Sequence, residues 1–321
     1  MHLFTFSPIM KPTIWGGYNI LSYKQLPADH RRIGESWELS AIPGSESVVE
    51  QGPYSGLTLP ALVQELKSDL LGKENYARFG NQFPLLVKFI DACKDLSVQV
   101  HPGDALAAAR HQCSGKSEMW YVVKAADNAR LYSGFSVSLT PEEYERHVAE
   151  CTLPQVLQSY QVHEGEVFYQ PSGRVHSIGA GCFICEIQQS SDITYRIYDY
   201  GRKDQDGNTR PLHLEEARDA IDYSACTDAF TPKVRLNEPV ELLNTPYFST
   251  SLYHLNEPMG CDYSELDSFV IFVCLNGSCK IRTGEEEILL TEGHTVLVAA
   301  SCSSLVLEPV DGAVKLIECF V

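Results

Sequence analysis

Most of this sequence consists of short apolar runs separated by Gly, Pro, Asn and Asp, and this spacing constrains the fold more than any other feature. Many short strands at close intervals are typical of β-sandwiches and barrels. We therefore predict a mainly β protein. The predicted strands are Pro84–Ile90, Leu96–His101, Met119–Val123, Glu166–Gln170, Phe183–Gln188, Phe269–Leu275, Glu287–Leu290 and Val314–Phe320.

Helical patterns are confined to a few segments. Thr58 is placed to cap a helix in which Leu62, Leu66 and Leu70 share one face and which ends at Gly72. The spacing of these leucines, four residues apart, predicts one continuous helix packed on the β core.

A helical insertion is predicted farther along the chain. Residues Thr140–Glu143 have the form of a capping box with Pro at the first helical position, and Leu139 and Tyr144 are placed to form a hydrophobic staple. A second helix is predicted to begin near Thr152. From Ile221 to Leu242 the periodicity is weak, which predicts a connection before a β-rich C-terminal region.

Charge and length exclude several classes of function. The chain has 321 residues, more than one average domain, and 25 Lys+Arg against 42 Asp+Glu give a formal net charge of −17. An acidic protein repels phosphate backbones and anionic lipids, so we expect neither nucleic acid nor a membrane as a partner. The longest apolar run, Phe269–Leu275, is too short to cross a bilayer, and the first residues do not resemble a secretion signal.

The cysteines indicate a reducing compartment. They number eleven, are scattered from Cys93 to Cys319 and often lie within apolar runs, which is typical of free thiols rather than of a disulfide framework. Cys182 and Cys185 have CxxC spacing, but residues three apart on a strand point to opposite faces, which argues against a shared metal. We predict a cytoplasmic protein.

Two segments contain candidate metal ligands. Alternation along residues 97–101 puts Gln99 and His101 on one face of a strand, and nitrogen or oxygen ligands two residues apart on a strand can reach one cation. Downstream, Glu118 stands just before an apolar run. Alone, His-Pro at a strand end is more often a turn, and a carboxylate before a buried strand is more often a surface charge than a ligand.

The segment from Gly165 to His176 is more specific. Its pattern, G-x5-P-x-G-x2-H, resembles the second metal-binding motif of the cupin family, in which a tight turn directs the histidine into the mouth of a barrel. Gly165, Pro171, Gly173 and His176 match without a gap, whereas Ala180 replaces the Asn that closes the motif. His176 is therefore the strongest candidate ligand.

The same spacing is not repeated near the C-terminus. Counted from Gly293, the Pro, Gly and His positions hold Ala299, Ser301 and Ser304. His294 is accordingly predicted to be a loop or surface histidine.

These observations predict two cupin (jelly-roll) barrels with a helical insertion in the N-terminal half. Residues 1–235 are expected to form the metal-binding catalytic domain. Residues 236–321 are expected to form a degenerate cupin domain without a metal site, which contributes stability and shape rather than chemistry.

Several segments occur in an order that resembles one family. They are residues 12–17 (PTIWGG), 34–40 (GESWELS), 96–102 (LSVQVHP), 115–118 (GKSE), 171–176 (PSGRVH) and 191–196 (SDITYR). Together they resemble the zinc-dependent type I mannose-6-phosphate isomerases, in their short bacterial form, over nearly the whole chain. The resemblance implies an isomerase that interconverts mannose 6-phosphate and fructose 6-phosphate through a cis-enediol, with one Zn²⁺ per chain. We expect a small-molecule sugar phosphate as its ligand and a monomer or homodimer.

The resemblance also assigns individual roles. It implies that the zinc ligands are Gln99, His101, Glu118 and His176, that Arg196 is the catalytic arginine, and that Lys116 contacts the substrate. Arg202 follows Arg196 by six residues, where the longer family members have a lysine, and Lys116 and Arg202 are both predicted to bind the substrate phosphate or a nearby sugar oxygen. The base that moves the proton stays open among Asp192, Asp199 and Lys116, and Trp15 is expected near the site.

Two other classes of function are compatible with the motifs. Two histidines and one carboxylate also bind iron in cupin dioxygenases, which consume oxygen. A non-enzymatic sugar-binding cupin would have a damaged metal site in both barrels, whereas here only the second is damaged. Gln99 and the spacing of Lys116 and Glu118 favour the isomerase.

Overall fold

The structure is a computed structural model, which describes residues 2–27, 30–203, 206–227, 230–284 and 286–321. The strands are β1 (Leu3–Ser7), β2 (Ile9–Gly17), β3 (Ile33–Leu39), β4 (Ala41–Ile42), β5 (Ser45–Glu46), β6 (Val48–Val49), β7 (Leu85–Asp91), β8 (Val98–Val100), β9 (Glu118–Ala125), β10 (Arg130–Phe135), β11 (Leu157–Gln161), β12 (Val167–Gln170), β13 (His176–Ile178), β14 (Cys182–Gln189), β15 (Tyr195–Tyr198), β16 (Val240–Asn244), β17 (Ser249–Leu255), β18 (Met259–Asp262), β19 (Val270–Arg282), β20 (Glu287–Thr291), β21 (Thr295–Val298) and β22 (Ser304–Phe320). The helices are α1 (Asn19–Tyr23), α2 (Leu59–Leu66), α3 (Ser68–Leu71), α4 (Lys73–Phe79), α5 (Asp104–His111), α6 (Pro141–Ala149) and α7 (Leu214–Ala220). The prediction of a mainly β protein is confirmed.

Three antiparallel sheets make up most of the fold. A central sheet has the strand order β12-β9-β14-β7-β3-β2, and a five-stranded sheet has the order β11-β10-β13-β8-β15. A nine-stranded sheet has the order β16-β17-β22-β19-β21-β1-β6, with β18 on β22 and β20 on β19. Six of the eight predicted strands match β7, β8, β9, β12, β14 and β20 to within one or two residues at each end. The other two lie in β19 and β22, but β19 continues seven residues beyond the predicted end and β22 begins ten residues before the predicted start.

The central sheet separates two cores because side chains alternate along its strands. On β9, Trp120 and Val122 face a core shared with Leu131 and Ile178 of the five-stranded sheet. The intervening Tyr121 faces a second core, which it shares with the nine-stranded sheet and with α2 and α3. The two halves of the chain are thus joined by a continuous apolar interface.

The nine-stranded sheet contains strands from both ends of the chain. Leu3 pairs with Val298 and Phe4 with Leu297, so β1 lies between β21 and β6. On its other side the sheet encloses a core formed by its own strands and the loops between them, which includes Phe272.

Two of the predicted helices differ from the structure. The first is broken at Lys67, whose φ is +51°, into α2 and α3. Because α3 ends at Leu71, the carbonyl groups of Asp69 and Leu70 have no partner within the helix, and they accept hydrogen bonds from the backbone N–H groups of Ser301 and Ala300. The helix predicted near Thr152 is a single 3-10 turn, Leu153–Gln155, because β11 begins two residues later.

The capping box at Thr140 is confirmed. The Glu143 backbone N–H donates to Thr140 Oγ1 at 3.2 Å, and the Thr140 N–H donates to the Glu143 carboxylate at 2.9 Å. Tyr144 is buried, with Leu139 packed against the same core. These contacts fix the start of α6, as the sequence predicts.

The cysteine prediction is confirmed in its structural part. None of the eleven cysteines forms a disulfide bond. Cys182 packs in the core between the central and five-stranded sheets, whereas Cys185 packs in the core on the opposite face of the central sheet. No helix in the described ranges is long and apolar enough to cross a membrane.

A buried ion pair links the two halves and makes a testable contribution to stability. Lys24 Nζ lies 2.8 Å from Glu38 Oε2 and also donates to the carbonyl of Gly293, while Ser36 donates to Glu38 Oε1 at 2.5 Å. Because Lys24→Met leaves Glu38 as a buried unpaired charge, we expect it to lower the free energy of unfolding by about 3–5 kcal/mol. Urea unfolding should show that loss in Lys24→Met and a smaller one in Lys24→Met/Glu38→Gln. Equal losses in both would mean that the pair contributes through packing alone.

Candidate metal centre and active-site cavity

The register of three neighbouring strands brings three predicted site residues onto one face of the five-stranded sheet. His176 on β13 is directly opposite Gln99 on β8, and Arg196 on β15 is directly opposite Gln99 from the other side. Directly opposite residues in antiparallel strands project to the same face. His101, two residues beyond Gln99, lies on that face as well.

The turn before His176 is the one that the motif predicts. Gly173 adopts a φ of +90°, which disfavours residues with a Cβ, and a Cβ there would lie 3.0 Å from the carbonyl oxygen of Ala220. The Gly173 N–H also donates to the carbonyl of His101 at 2.8 Å. The turn therefore fixes the distance between the two candidate histidine ligands.

The opposing wall of the site comes from the central sheet. Glu118, the first residue of β9, is paired with Gln170 of β12 and with Gln188 of β14. Lys116 precedes it by two residues, and its backbone N–H donates to the carbonyl of Pro102 at 3.2 Å, next to His101. The predicted ligands thus approach one another from two facing sheets.

The structure brings His101, Glu118 and His176 into one buried cluster. Their ligand atoms all lie within 4.8 Å of one another. Glu118 Oε2 is 3.5 Å from His101 Nε2, and Glu118 Oε1 is 3.3 Å from His176 Nε2. Each of the three side chains is no more than 1% exposed.

Hydrogen bonds orient both imidazole rings toward the cluster. His101 Nδ1 is 2.7 Å from the carbonyl oxygen of Ile193, and His176 Nδ1 is 2.8 Å from that of Arg174. Because a carbonyl only accepts, each Nδ1 carries the proton, and each Nε2 offers its lone pair to the cluster. Burial, followed by the positive charge of Lys116, holds the pKa of His101 well below its usual range. Burial also lowers the pKa of His176 to about 3, so both rings are neutral at pH 7.

The Glu118 carboxylate shows that this cluster fits a cation. Among the residues that the structure describes, none makes a hydrogen bond of acceptable geometry to either of its oxygens, although Lys116 Nζ lies 2.9 Å from Oε2. Burial and the nearby charge of Glu186 raise the pKa of Glu118, and the ammonium groups of Lys116 and Lys88 oppose that rise. A buried carboxylate between two neutral imidazoles is a set of donors that a divalent metal ion would satisfy.

Gln99 lies beside the cluster rather than in it. Its side-chain nitrogen is 3.4 Å from His176 Nε2, and its side chain is half-buried. An amide binds a cation through its oxygen, so Gln99 would serve as a ligand after its amide group turns over.

A cavity of about 270 Å³ lies next to the cluster, between the two facing sheets. Lys116, Arg196 and Trp15 line it, as does Asp192, one of the candidate bases. The full lining is Trp15, Glu35, Trp37, Lys88, Ile90, Leu96, Ser97, Gln99, Lys116, Ile178, Glu186, Asp192, Thr194, Arg196 and Arg210.

Two further predicted residues lie elsewhere. Arg202 and Asp199 are bound to each other and line a neighbouring cavity of about 260 Å³. The Asp199 carboxylate also binds Arg210. That Arg202 contacts the substrate stays a prediction.

Sequence reasoning missed a buried ion-pair network in the cavity wall. Lys88 Nζ is 3.1 Å from Glu186 Oε2 and 3.5 Å from Glu35 Oε2, and Glu186 Oε1 accepts a hydrogen bond from Trp120 at 2.8 Å. Although burial opposes the shift, the charges of Lys88 and Lys116 lower the pKa of Glu186. A signal was present, since Lys88 and Glu186 each interrupt an otherwise apolar strand and are rarely buried without a specific partner.

Comparison with known proteins places the chain in a family. A family model of the phosphomannose isomerase type I catalytic domain matches residues 3–124, and a model of the mannose-6-phosphate isomerase cupin domain matches residues 240–321. The mannose-6-phosphate isomerase ManA of Bacillus subtilis is 33% identical over 94% of this chain and 95% of its own length. The chain belongs to the type I phosphomannose isomerases. Another relative in this family, the mannose-6-phosphate isomerase of Streptococcus mutans, is 34% identical over 90% of both chains.

A solved structure agrees with this assignment. The crystal structure of the mannose 6-phosphate isomerase from Bacillus subtilis matches the whole of this chain over its own full length, with a TM-score of 0.88 and 27% sequence identity. Within the phosphomannose isomerase framework, Gln99, His101 and Glu118 lie in the segment matched by the catalytic-domain model, whereas His176 and Arg196 lie between the two matched segments. The register described above joins these separate segments into one site.

Proposed function

We propose that this chain is a metal-dependent aldose–ketose isomerase that interconverts mannose 6-phosphate and fructose 6-phosphate through a cis-enediol. The observation that carries the proposal is the buried His101–Glu118–His176 cluster, which adjoins a cavity lined by Gln99, Lys116 and Arg196. Membership of the phosphomannose isomerase family gives the substrate class.

Zinc is the metal that we propose, one ion per chain. Two imidazole nitrogens and a carboxylate oxygen would hold it, with the Gln99 amide as a weaker fourth ligand. A bound zinc ion stabilises negative charge on an oxygen next to it. Iron accepts the same donors, so metal analysis and an oxygen electrode are needed to distinguish the isomerase from a dioxygenase.

Arg196 is the second group that we assign to the reaction. An enediol develops negative charge on oxygen, and a fixed guanidinium beside that oxygen would stabilise it. Arg196 lies on the same face as His176 and Gln99, and its Nε donates to Ser97 Oγ at 3.3 Å. That bond holds the side chain over the cavity before the substrate arrives.

A base that lines the cavity carries the proton between C1 and C2 of the sugar. Asp199 is unsuited to this role, because Arg202 and Arg210 bind its carboxylate and lower its pKa although burial opposes the shift. Lys88 neutralises Glu186 in a similar way. We therefore assign proton transfer to Lys116 or Asp192.

A coupled assay tests the proposed function directly. Production of fructose 6-phosphate from mannose 6-phosphate should require no oxygen, stop after treatment with a chelator and return when zinc is added. Zinc content near one ion per chain should accompany activity. Oxygen consumption would support the dioxygenase instead, and sugar binding without turnover would support a non-enzymatic cupin.

Lys116 gives a prediction that separates substrate binding from metal binding. Its ammonium lines the cavity and lies 3.1 Å from His101 Nε2. We expect Lys116→Met to lower kcat/KM for mannose 6-phosphate about 10- to 100-fold, the usual effect of losing one charge-assisted hydrogen bond. Zinc content should be unchanged, because an ammonium group has no lone pair to offer. Loss of zinc in Lys116→Met would show that this lysine supports the metal site instead.

We extend the proposal to the domain organisation and location of the protein. Residues 1–235 would form a catalytic cupin barrel with helical insertions and residues 236–321 a cupin barrel without metal, since every cluster and cavity residue named here precedes position 236. Eleven cysteines without a disulfide bond support a reducing, cytoplasmic location. Whether the protein is a monomer or a homodimer stays a prediction, which light scattering after gel filtration can check.

A further inference from the structure

A strongly basic cluster lies beside the active-site cavity. Three arginines, Arg196, Arg202 and Arg210, lie around a single carboxylate, that of Asp199. When all are ionised, three positive charges and one negative charge leave a surplus of two (3 − 1 = 2). In a chain of net charge −17, a local surplus of this kind is what an anionic ligand requires.

Of the two arginines bound to Asp199, Arg210 is the one that lines the active-site cavity. Its Nε donates to Asp199 Oδ2 at 2.8 Å and its Nη2 to Oδ1 at 2.5 Å. This two-point pair fixes the plane of the guanidinium. The third nitrogen, Nη1, bonds no other side chain in the part of the chain that the structure describes, and so can donate to a ligand.

The guanidinium group of Arg202 makes different contacts from that of Arg210. Its Nε donates to Asp199 Oδ1 at 3.1 Å, its Nη2 donates to the same oxygen, and its Nη1 donates to the carbonyl of Asp95. The guanidinium also lies 5.2 Å from the centre of the Tyr200 ring. All three nitrogens are therefore bonded within the protein, and Arg202 is absent from the lining of the active-site cavity in the described structure.

Arg196 and Arg210 lie close together. Arg196 Nη1 donates to the carbonyl of Pro211, the residue after Arg210, at 3.1 Å. Burial, followed by the positive charge of Arg210, lowers the pKa of Arg196, while Asp199 opposes the shift and Arg202 adds a smaller repulsion. Two guanidinium groups that repel each other across one end of a cavity gain stability when an anion binds between them.

We propose that Arg210, held in place by Asp199, binds the phosphate group of the substrate beside Arg196, and that Arg202 positions Asp199 without contacting the substrate. This inference rests on the proposed function, since it requires a phosphorylated sugar in the cavity. It assigns the phosphate to a different side chain from the one implied by the family resemblance.

Kinetics of three matched variants test the assignment. Arg210→Gln should raise KM for mannose 6-phosphate about 10- to 100-fold, with kcat and zinc content within about two-fold of the wild type. Arg202→Gln should raise KM by a smaller factor, and Arg282→Gln, at the end of β19 and paired with Glu287, should have no effect. Turnover of unphosphorylated mannose should be the same in Arg210→Gln as in the wild type. A larger effect in Arg202→Gln, or an equal loss on mannose, would overturn the assignment.

The positioning role of Asp199 is tested separately with the Asp199→Asn variant. Asp199→Asn keeps the size of the side chain but weakens both guanidinium bonds, so KM for mannose 6-phosphate should rise while kcat stays constant. If Asp199 merely repelled the phosphate, removing its charge would lower KM, and this result would contradict a positioning role.

Binding of inorganic phosphate tests the phosphate site independently of the isomerase reaction. In calorimetry of the zinc-loaded protein, Arg210→Gln should weaken phosphate binding about 10- to 100-fold relative to the wild type, and Arg202→Gln should weaken it less. If the wild type does not isomerise the sugar but this pattern holds, the phosphate site stands and the reaction is different. If the wild type isomerises the sugar and Arg210→Gln binds phosphate normally, the reaction stands and the site is wrong.

Discussion

His176→Ala is expected to remove the metal and the isomerase activity together. The Nε2 atom of His176 lies 3.3 Å from Glu118, and its Nδ1 proton is held by the Arg174 carbonyl, so alanine removes a preoriented ligand. Loss of an outer-shell group typically costs 10- to 100-fold in metal affinity, so we expect the loss of a ligand to exceed about 100-fold. Metal analysis after gel filtration, together with the coupled assay, measures both effects.

A second histidine provides the control. His294 lies in the loop between β20 and β21, where its Nδ1 is 3.1 Å from Thr291 Oγ1. It does not occupy the position at which the cupin motif has its histidine. His294→Ala should therefore keep its zinc and its activity. Loss of zinc in His294→Ala with an intact fold would contradict the assignment of the C-terminal region to stability and shape. Retention of zinc in His176→Ala would contradict the metal site itself.

The sequence was most informative where chemistry depends on fixed spacing. The segment from Gly165 to His176 requires a left-handed glycine three residues before the ligand, and Gly173 adopts that conformation. Alternation along residues 97–101 is sufficient to put Gln99 and His101 on one face. Both features are local, so they can be derived from the sequence without knowledge of the tertiary structure.

Contacts between distant segments could not be derived in this way. Whether Arg202 or Arg210 reaches the cavity depends on how the chain beyond β15 folds back, and both arginines bind the same Asp199. The pairing of Lys88 with Glu186 depends on the register between β7 and β14. Each sequence segment alone shows a charge within an apolar run, and the register supplies its partner.

The domain organisation illustrates the same limit. The first strand of the chain pairs with β21 in the nine-stranded sheet, and the carbonyl groups of Asp69 and Leu70, at the end of α3, accept hydrogen bonds from the segment after β21. Both are long-range backbone contacts with no local signal in the sequence. Periodicity therefore predicted which segments form strands and helices better than it predicted where these elements end. It did not predict which strands pair with one another.

Arg196→Ala should lower kcat without changing the zinc content. If the guanidinium stabilises charge on the enediol, its removal should cost about 10²–10³ in kcat, or about 2.7–4 kcal/mol, as for other single oxyanion donors. Zinc should stay bound, because a protonated guanidinium has no lone pair for the metal. Steady-state kinetics combined with metal analysis separates this variant from His176→Ala, which should lose both.

The lysine variant tests why an arginine is needed at position 196. In the structure its Nε and Nη1 atoms are held by Ser97 Oγ at 3.3 Å and by the Pro211 carbonyl at 3.1 Å, which orients the plane of the guanidinium toward the cavity. Arg196→Lys retains the charge but loses this two-point orientation, so we expect it to restore only part of the rate. Full activity in Arg196→Lys would mean that a point charge is enough, and near-normal kcat in Arg196→Ala would exclude Arg196 from the chemical step. Loss of zinc in Arg196→Ala would instead make it a structural support of the metal site, since Arg196 lies directly opposite Gln99 in the sheet.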